Sequence, residues 1–253
     1  MKRFGLDSKK HASTLISSPA KLSSDPAGEE VDPTLYRSII GSLLYLTTSR
    51  LDIAFSVEVC ANFQAAPKKS HMIGAKRIIH YVNGISDYGI WYSRYSNECL
   101  TKYSDADWAE CVDDRKSTSG GCFYLGNNLV LWMSKKQNSV SLLTAEAKYI
   151  ATSSCCAQLL WMKKLLHDYE ISQETMCVFC DNTSAINISK LCLTLKVKAY
   201  QNSISFHLRL GEREGCVWNL STPQIKEVNI FTKPLDGPRF ESLCKTISVG
   251  IIP

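Results

Sequence analysis

The chain has no apolar run approaching the roughly 18 residues that a membrane helix requires, so no membrane-spanning segment is expected. Its amino-terminal stretch, MKRFGLDSKKHAS, is charged and has no continuous apolar segment, which argues against a secretory signal. A soluble intracellular protein, cytoplasmic or nuclear, is the expectation. Strong charge of one sign is also lacking. A net charge of +5 permits contact with a polyanion but does not demand it, unlike the dense basic patches of dedicated nucleic-acid binders. With 45% hydrophobic and 21% charged residues, the composition is globular rather than disordered. At 253 residues the chain can bury the core of one large domain or two small ones.

Cysteine, by contrast, is plentiful. There are 11, an odd number at irregular spacing, and without export they are expected to stay reduced as small apolar fillers. The pair in CVFC, Cys177 and Cys180, imitates a redox or zinc motif. Residues three apart on a strand face opposite sides, however, so these sulfurs are not expected to share a metal or a disulfide. Cys155 and Cys156 are adjacent in a helical stretch and diverge in the same way.

Residues 1–35 are rich in Ser, Lys, Asp, Pro and Gly, and read as a polar tail or linker. Asp32 followed by Pro33 is a helix start, and Tyr36, Ile39, Ile40, Leu43 and Leu44 recur at helical spacing. A second helix is expected near Lys68–Val82, with Ile73, Ile78, Ile79 and Val82 inward. Lys76, Arg77 and His80 then form a solvated face. From about residue 96 the period changes. ECLTKYSD and SGGCFYLGN read as strands, and Gly126-Asn127-Asn128 turns the chain into a third, LVLWMSKKQ. A long unbroken helix capped by Thr144 follows, then a buried strand in TMCVFCDN and a helix in TSAINISK. Another helix is expected around FHLRLGEREG, then a short strand in CVWNL and a loosely helical C-terminus. This order implies an α/β fold, a five-stranded mixed sheet flanked by helices. Trp132 and Trp161 are expected in the core. His207 reads as structural, Asp107, Asp113 and Asp114 as turn or surface residues, and Arg115 and Lys116 as their solvated partners.

Two of the strands end in an aspartate, Asp105 in KYSD and Asp181 in VFCD, and Glu146 lies in the first turn of the long helix between them. In an open α/β sheet, ligands gather where neighbouring strands end. If those two strands are neighbours, Asp105, Glu146 and Asp181 converge at one edge. Three converging carboxylates need cations to remain ionised, and Mg²⁺ (or Mn²⁺), a hard ion seeking oxygen ligands, is the natural occupant. Two such ions can drive phosphodiester hydrolysis.

This pattern resembles ribonuclease H. More narrowly, the chain resembles the C-terminal part of copia-type (Pseudoviridae) retrotransposon Pol polyproteins. The resemblance is carried by ordered blocks along nearly the whole chain: LYRSIIGSLLYLTTSRLDIAFSV, AKRIIHYVNG, YSDADWA, DRKSTSG, WMSKKQNSVSLLTAEAKYIA, CDNTSAI and IFTKPL. It implies a reverse-transcriptase remnant over 36–95, a ribonuclease H-like domain over 96–235 and a tail over 236–253. It also implies an ancestral activity, the cleavage of RNA in RNA–DNA hybrids by Asp105, Glu146 and Asp181 with Mg²⁺. Such hybrids are held by shape and backbone, so no particular residue is assigned to binding them.

Three departures from the family pattern point to impaired or lost hydrolysis. The helix reads TAEAKY where the family has T-x-E-A-E-Y, so Lys148 replaces the second glutamate. Residues two apart on a helix point to nearly opposite sides, so whether position 146 or 148 is the ligand position is decisive. Asn229 stands at the Asp position of A-D-I-x-T-K-P-L, and the K-H-I-D-I-x-Y-H block has become YQNSISFH. No Y-x-D-D occurs, so polymerisation is not expected. Two readings follow: a ribonuclease H that still cleaves, or a non-catalytic remnant retained as a nucleic-acid-binding or protein-interaction module.

Overall fold

The computed structural model describes residues 12, 15, 22–85, 87–94, 96–173, 176–194, 216–220, 223–247 and 249–251. The helix expected around FHLRLGEREG, the YQNSISFH segment and His207 lie outside them. The chain divides into two units, Met1–Trp91 with Cys111–Arg115 and Lys233–Pro253, and Tyr92–Glu110 with Lys116–Thr232.

The first unit is mostly helical. Helix α1 (Pro33–Leu46) starts where the Asp32 carboxylate accepts the Thr34 N–H at 2.8 Å, and it buries Tyr36, Ile39, Ile40 and Leu43. After a 3-10 turn (Leu51–Ile53) come α2 (Ala54–Ala61) and α3 (Lys69–Gly84). The buried face of α3 is His71, Met72, Ala75, Ile78 and Tyr81. Ile73, expected inward, is 61% exposed. The apolar spacing on α3 fits two overlapping stripes, and the one that begins with His71 is the one that packs. The His71 ring stacks on Phe63 with centroids 4.0 Å apart. It is also held on both nitrogens, since Nδ1 accepts the Lys68 N–H at 2.9 Å and Nε2 lies 2.7 Å from the Ser23 carbonyl.

A buried polar group must find partners or carry a desolvation cost. In this unit Arg50 forks onto Asp52, with Nε 3.0 Å from Oδ1 and a terminal nitrogen 2.7 Å from Oδ2. The Tyr81 hydroxyl donates to the same carboxylate at 3.0 Å. Residues 23–30 are tied to the start of α3 by Ser70 to Asp25 and Lys69 to Glu29, each 2.6 Å long. A short strand pair, β1 (Tyr88–Ile90) with β7 (Val249–Ile251), and a helix, Gly237–Thr246, also belong to this unit.

The second unit is built on a five-stranded sheet in the order β4-β3-β2-β5-β6. Strands β2 (Leu100–Ala106), β3 (Thr118–Leu125) and β4 (Asn128–Lys136) form the antiparallel meander expected from the turn at Gly126, which has a positive φ that glycine tolerates. Strand β5 (Met176–Cys180) lies parallel to β2, and β6 (Cys216–Leu220) lies parallel to β5. The first and fourth strands of this unit are therefore neighbours, the condition for their terminal aspartates to meet. On β5, Cys180 is buried while Cys177 is only partly so, as an alternating strand requires.

Helix α4 (Thr144–Asp168) covers one face of the sheet through Ala147, Ala151, Cys155, Cys156, Leu159 and Leu160. Small residues lead this face, so the first turns can approach the strands closely. A Cβ added at Gly121 would lie 2.6 Å from the Cys155 sulfur. Trp161 sits on the opposite side of α4, 55% exposed rather than in the core, because its position is out of phase with that apolar stripe. Trp132 on β4 is half-buried. On the sheet's other face lies a 3-10 segment, Pro223–Phe231, packed against β2 and β3.

The contact between that segment and β3 depends on Gly120, where an added Cβ would lie 2.5 Å from Thr232 and 3.1 Å from both Phe231 and Val228. Gly120→Ala is expected to destabilise the chain by about 1–3 kcal/mol through overpacking. Gly41→Ala on α1, with no atom of the described residues within 4 Å, should instead stabilise it by about 0.5–1 kcal/mol through helix propensity. Denaturant titration of the two variants checks both signs.

Candidate functional site

The strand-end site belongs to the second unit. Asp105 lies near the end of β2 and Asp181 directly follows β5. The parallel register, in which Ser104 faces Cys180, brings the two aspartates to one rim of the sheet. The first turns of α4 reach the same rim, tied down by Gln137, whose side-chain amide donates to the Ala147 carbonyl and to Ser119 Oγ, both at 2.9 Å.

Lys148 supplies what sits between the carboxylates. Its Nζ is 2.5 Å from both Asp181 oxygens and 3.1 Å from Asp105 Oδ1. Asp105 Oδ2 accepts a hydrogen bond from the Thr232 hydroxyl at 3.2 Å. All four oxygens of the two aspartates therefore have a partner within the protein. The Asp105 and Lys148 side chains are largely buried, at 3% and 12% exposure, while Asp181 is 36% exposed. Burial works against the ammonium, but Asp105 and Asp181 outweigh it and hold the Lys148 pKa above its ordinary value.

Glu146 does not join this cluster. Its carboxylate folds back over the helix start and accepts the Leu142 N–H at 2.8 Å. Leu143 occupies the N-cap position and makes no side-chain cap bond, so Glu146, not Thr144, satisfies a free donor ahead of α4. Of positions 146 and 148, the one directed at the aspartates is 148. Among the described residues no group of three His, Cys, Asp or Glu could hold a metal ion.

The residues present do not fit Mg²⁺ or Mn²⁺. A divalent ion needs free carboxylate oxygens, and those of Asp105 and Asp181 are bonded to the ammonium and to Thr232. An ion about 4 Å from the ammonium would meet a repulsion on the order of 8 kcal/mol at an effective dielectric of 20, twice the value for unit charges. Asn229, at the position where the resemblance implies an Asp, is buried, and its backbone carbonyl accepts the Thr232 N–H at 3.2 Å.

Two polar residues near the rim were not marked by their sequence context. Asp107, expected at the surface, is buried and accepts the Thr118 N–H. Burial pushes its carboxyl up to about 7 despite that bond. An Asp just beyond a strand looks like a turn residue in one dimension; only the folding of the next strand over it shows otherwise. Lys102 is fully buried beneath α4, and its ammonium donates to the Thr152 carbonyl at 2.9 Å. Alternation along β2 places it on the inner face, which was legible, but its carbonyl partner comes from a helix 50 residues away.

The topology defines a mixed α/β domain, a five-stranded sheet flanked by helices with an aspartate at the ends of two neighbouring strands. No protein-family model matches the chain. It is 32% identical over 257 residues to the Retrovirus-related Pol polyprotein from transposon RE1 of Arabidopsis thaliana, covering 99% of this chain and 17% of that protein. It is 34% identical over 197 residues to the corresponding polyprotein from transposon TNT 1-94 of Nicotiana tabacum, covering 75% and 15%. The chain belongs to the copia-type Pol polyproteins of transposons, and spans under a fifth of the length of these relatives. A solved structure of a ribonuclease H1 isolated from compost matches with a TM-score of 0.36 at 12% identity, over 53% of this chain and 93% of that one.

Two measurements follow from the site. Glu146→Ala removes the bond to Leu142 but no partner of either aspartate, so it should cost about 1 kcal/mol of stability, the usual worth of a helix cap. In an NMR spectrum the Lys148 side-chain resonance should stay unchanged. The second concerns Glu227, whose carboxyl is raised by burial, partly offset by the Tyr124 hydroxyl donating at 2.7 Å. The folded state then holds this proton more tightly than the unfolded chain. Its contribution favours folding below the ordinary Glu range and is lost as pH rises through the folded value. Glu227→Gln keeps an acceptor for Tyr124 and should flatten that decline, narrowing the difference in melting temperature between pH 4.5 and pH 8.

Proposed function

We propose that this chain is a ribonuclease H-like module of transposon origin that has lost hydrolysis of RNA in RNA–DNA hybrids while keeping the fold that would hold them. The observation that carries this reading is the Lys148 ammonium seated on Asp105 and Asp181, with every oxygen of the pair engaged. Hydrolysis of a phosphodiester by this lineage would need those oxygens for divalent ions, and a fixed cation denies them. Asn229 removes a further negative charge.

Nucleic-acid binding does not share that requirement. A hybrid is gripped through its backbone and 2′-hydroxyls, and such contacts survive the loss of a catalytic centre. RNA–DNA hybrid is therefore the expected partner, bound through its phosphates and weakened by salt.

The test is incubation of the purified chain with an end-labelled RNA–DNA hybrid and Mg²⁺ or Mn²⁺, with fluorescence anisotropy of the same hybrid measured in parallel. No cleavage above an Asp105→Asn control is expected, together with salt-sensitive binding. Metal-dependent cleavage that vanishes in Asp105→Asn would overturn the reading. The double substitution Lys148→Glu with Asn229→Asp should restore detectable cleavage.

A further inference from the structure

We infer that Lys148 is the resident cation of the strand-end site: a tethered ammonium that joins β2 to the end of β5 and makes this domain's stability independent of divalent ions. The inference concerns how the unit holds together, and needs neither bound nucleic acid nor any catalytic history.

Asp105 and Asp181 stand at the ends of neighbouring parallel strands, where their charges repel each other across one rim. Asp105 cannot escape into solvent, because its side chain is 3% exposed. A positive group placed between them offsets that repulsion. Lys148 meets that need from α4 with contacts of 2.5 Å to Asp181 and 3.1 Å to Asp105, so one side chain links helix, central strand and crossover strand. Thr232 occupies the remaining Asp105 oxygen and ties in the segment on the opposite face of the sheet. A lysine here differs from a bound ion in two ways. It cannot dissociate, so chelators do not reach it, and its charge is present from synthesis onward.

The experiment is a thermal melt of the full chain in EDTA, in millimolar Mg²⁺ and in millimolar Mn²⁺, with metal binding followed by calorimetry. For the unaltered chain the three melting temperatures should agree within about 1 °C and no saturable heat should appear. Lys148→Glu places a third carboxylate at the rim. It should melt lower in EDTA and recover by about 5 °C or more in Mg²⁺, with saturable Mn²⁺ binding. Should that variant fail to fold, Lys148→Gln serves the same comparison. Its neutral amide removes the positive charge between the two aspartates, so it should melt lower in EDTA and be rescued in part by divalent ions. The inference is overturned if Mg²⁺ stabilises the unaltered chain as much as the variant, or if Lys148→Gln melts like the unaltered chain in EDTA. A chain that ignores metals yet cleaves hybrid would sink the functional proposal and leave this one standing; metal uptake without cleavage would do the reverse.

Discussion

One ammonium between two carboxylates governs the sheet's rim. Aspartates at the ends of adjacent parallel strands have to be compensated, and the solution adopted sets what the rim can do. A divalent ion leaves a Lewis acid open to a substrate. A lysine leaves a saturated ion pair that contributes to cohesion and offers no open coordination site. Here the lysine is supplied by the same helix that covers the sheet, so the pair belongs to the packing of α4 on β2 and β5.

The surrounding structure is arranged to make that packing tight. Ala147, Ala151 and Cys155 keep the helix side of the interface small, and Gly121 keeps the strand side bare. Gly120 does the same on the opposite face, bringing Thr232 against Asp105. Gly120 pairs directly with Asp105 and Gly121 with Ser104, so overpacking either face would strain the strand that partners Asp105 and with it the electrostatics of the rim. In the helical unit the Arg50–Asp52–Tyr81 network solves a similar problem, with a buried carboxylate paired to a planar guanidinium and a hydroxyl rather than to a metal.

Much of this is legible in the sequence. The Asp32-Pro33 start of α1, the meander turning at Gly126, the length of α4 and the Asp at the end of β2 follow from caps, periodicity and turn chemistry, which are local. What failed was non-local. Hydrophobicity points Ile73 and Trp161 inward, yet each lies out of phase with the stripe that found a partner. Asp107 reads as a surface residue in one dimension, but β3 folds over it. Glu146, a candidate ligand by its place in the first helical turn, is turned to the preceding backbone instead, because residues 146 and 148 point about 200° apart on the helix.

The order of strands β2 to β5 with α4 between them, the two strand-end aspartates and the family of the chain were determined by the sequence alone, since hydrophobic period, turn residues and ordered motifs are properties of neighbours in the chain. Which of positions 146 and 148 faces Asp105 and Asp181, and hence whether the rim is a metal site or a closed ion pair, was decided only by the tertiary structure. The reason is geometric. The phase of α4 against the sheet is set by the fit of Ala147, Ala151 and Cys155 over β2 and β3, a fit between surfaces made by segments far apart in sequence.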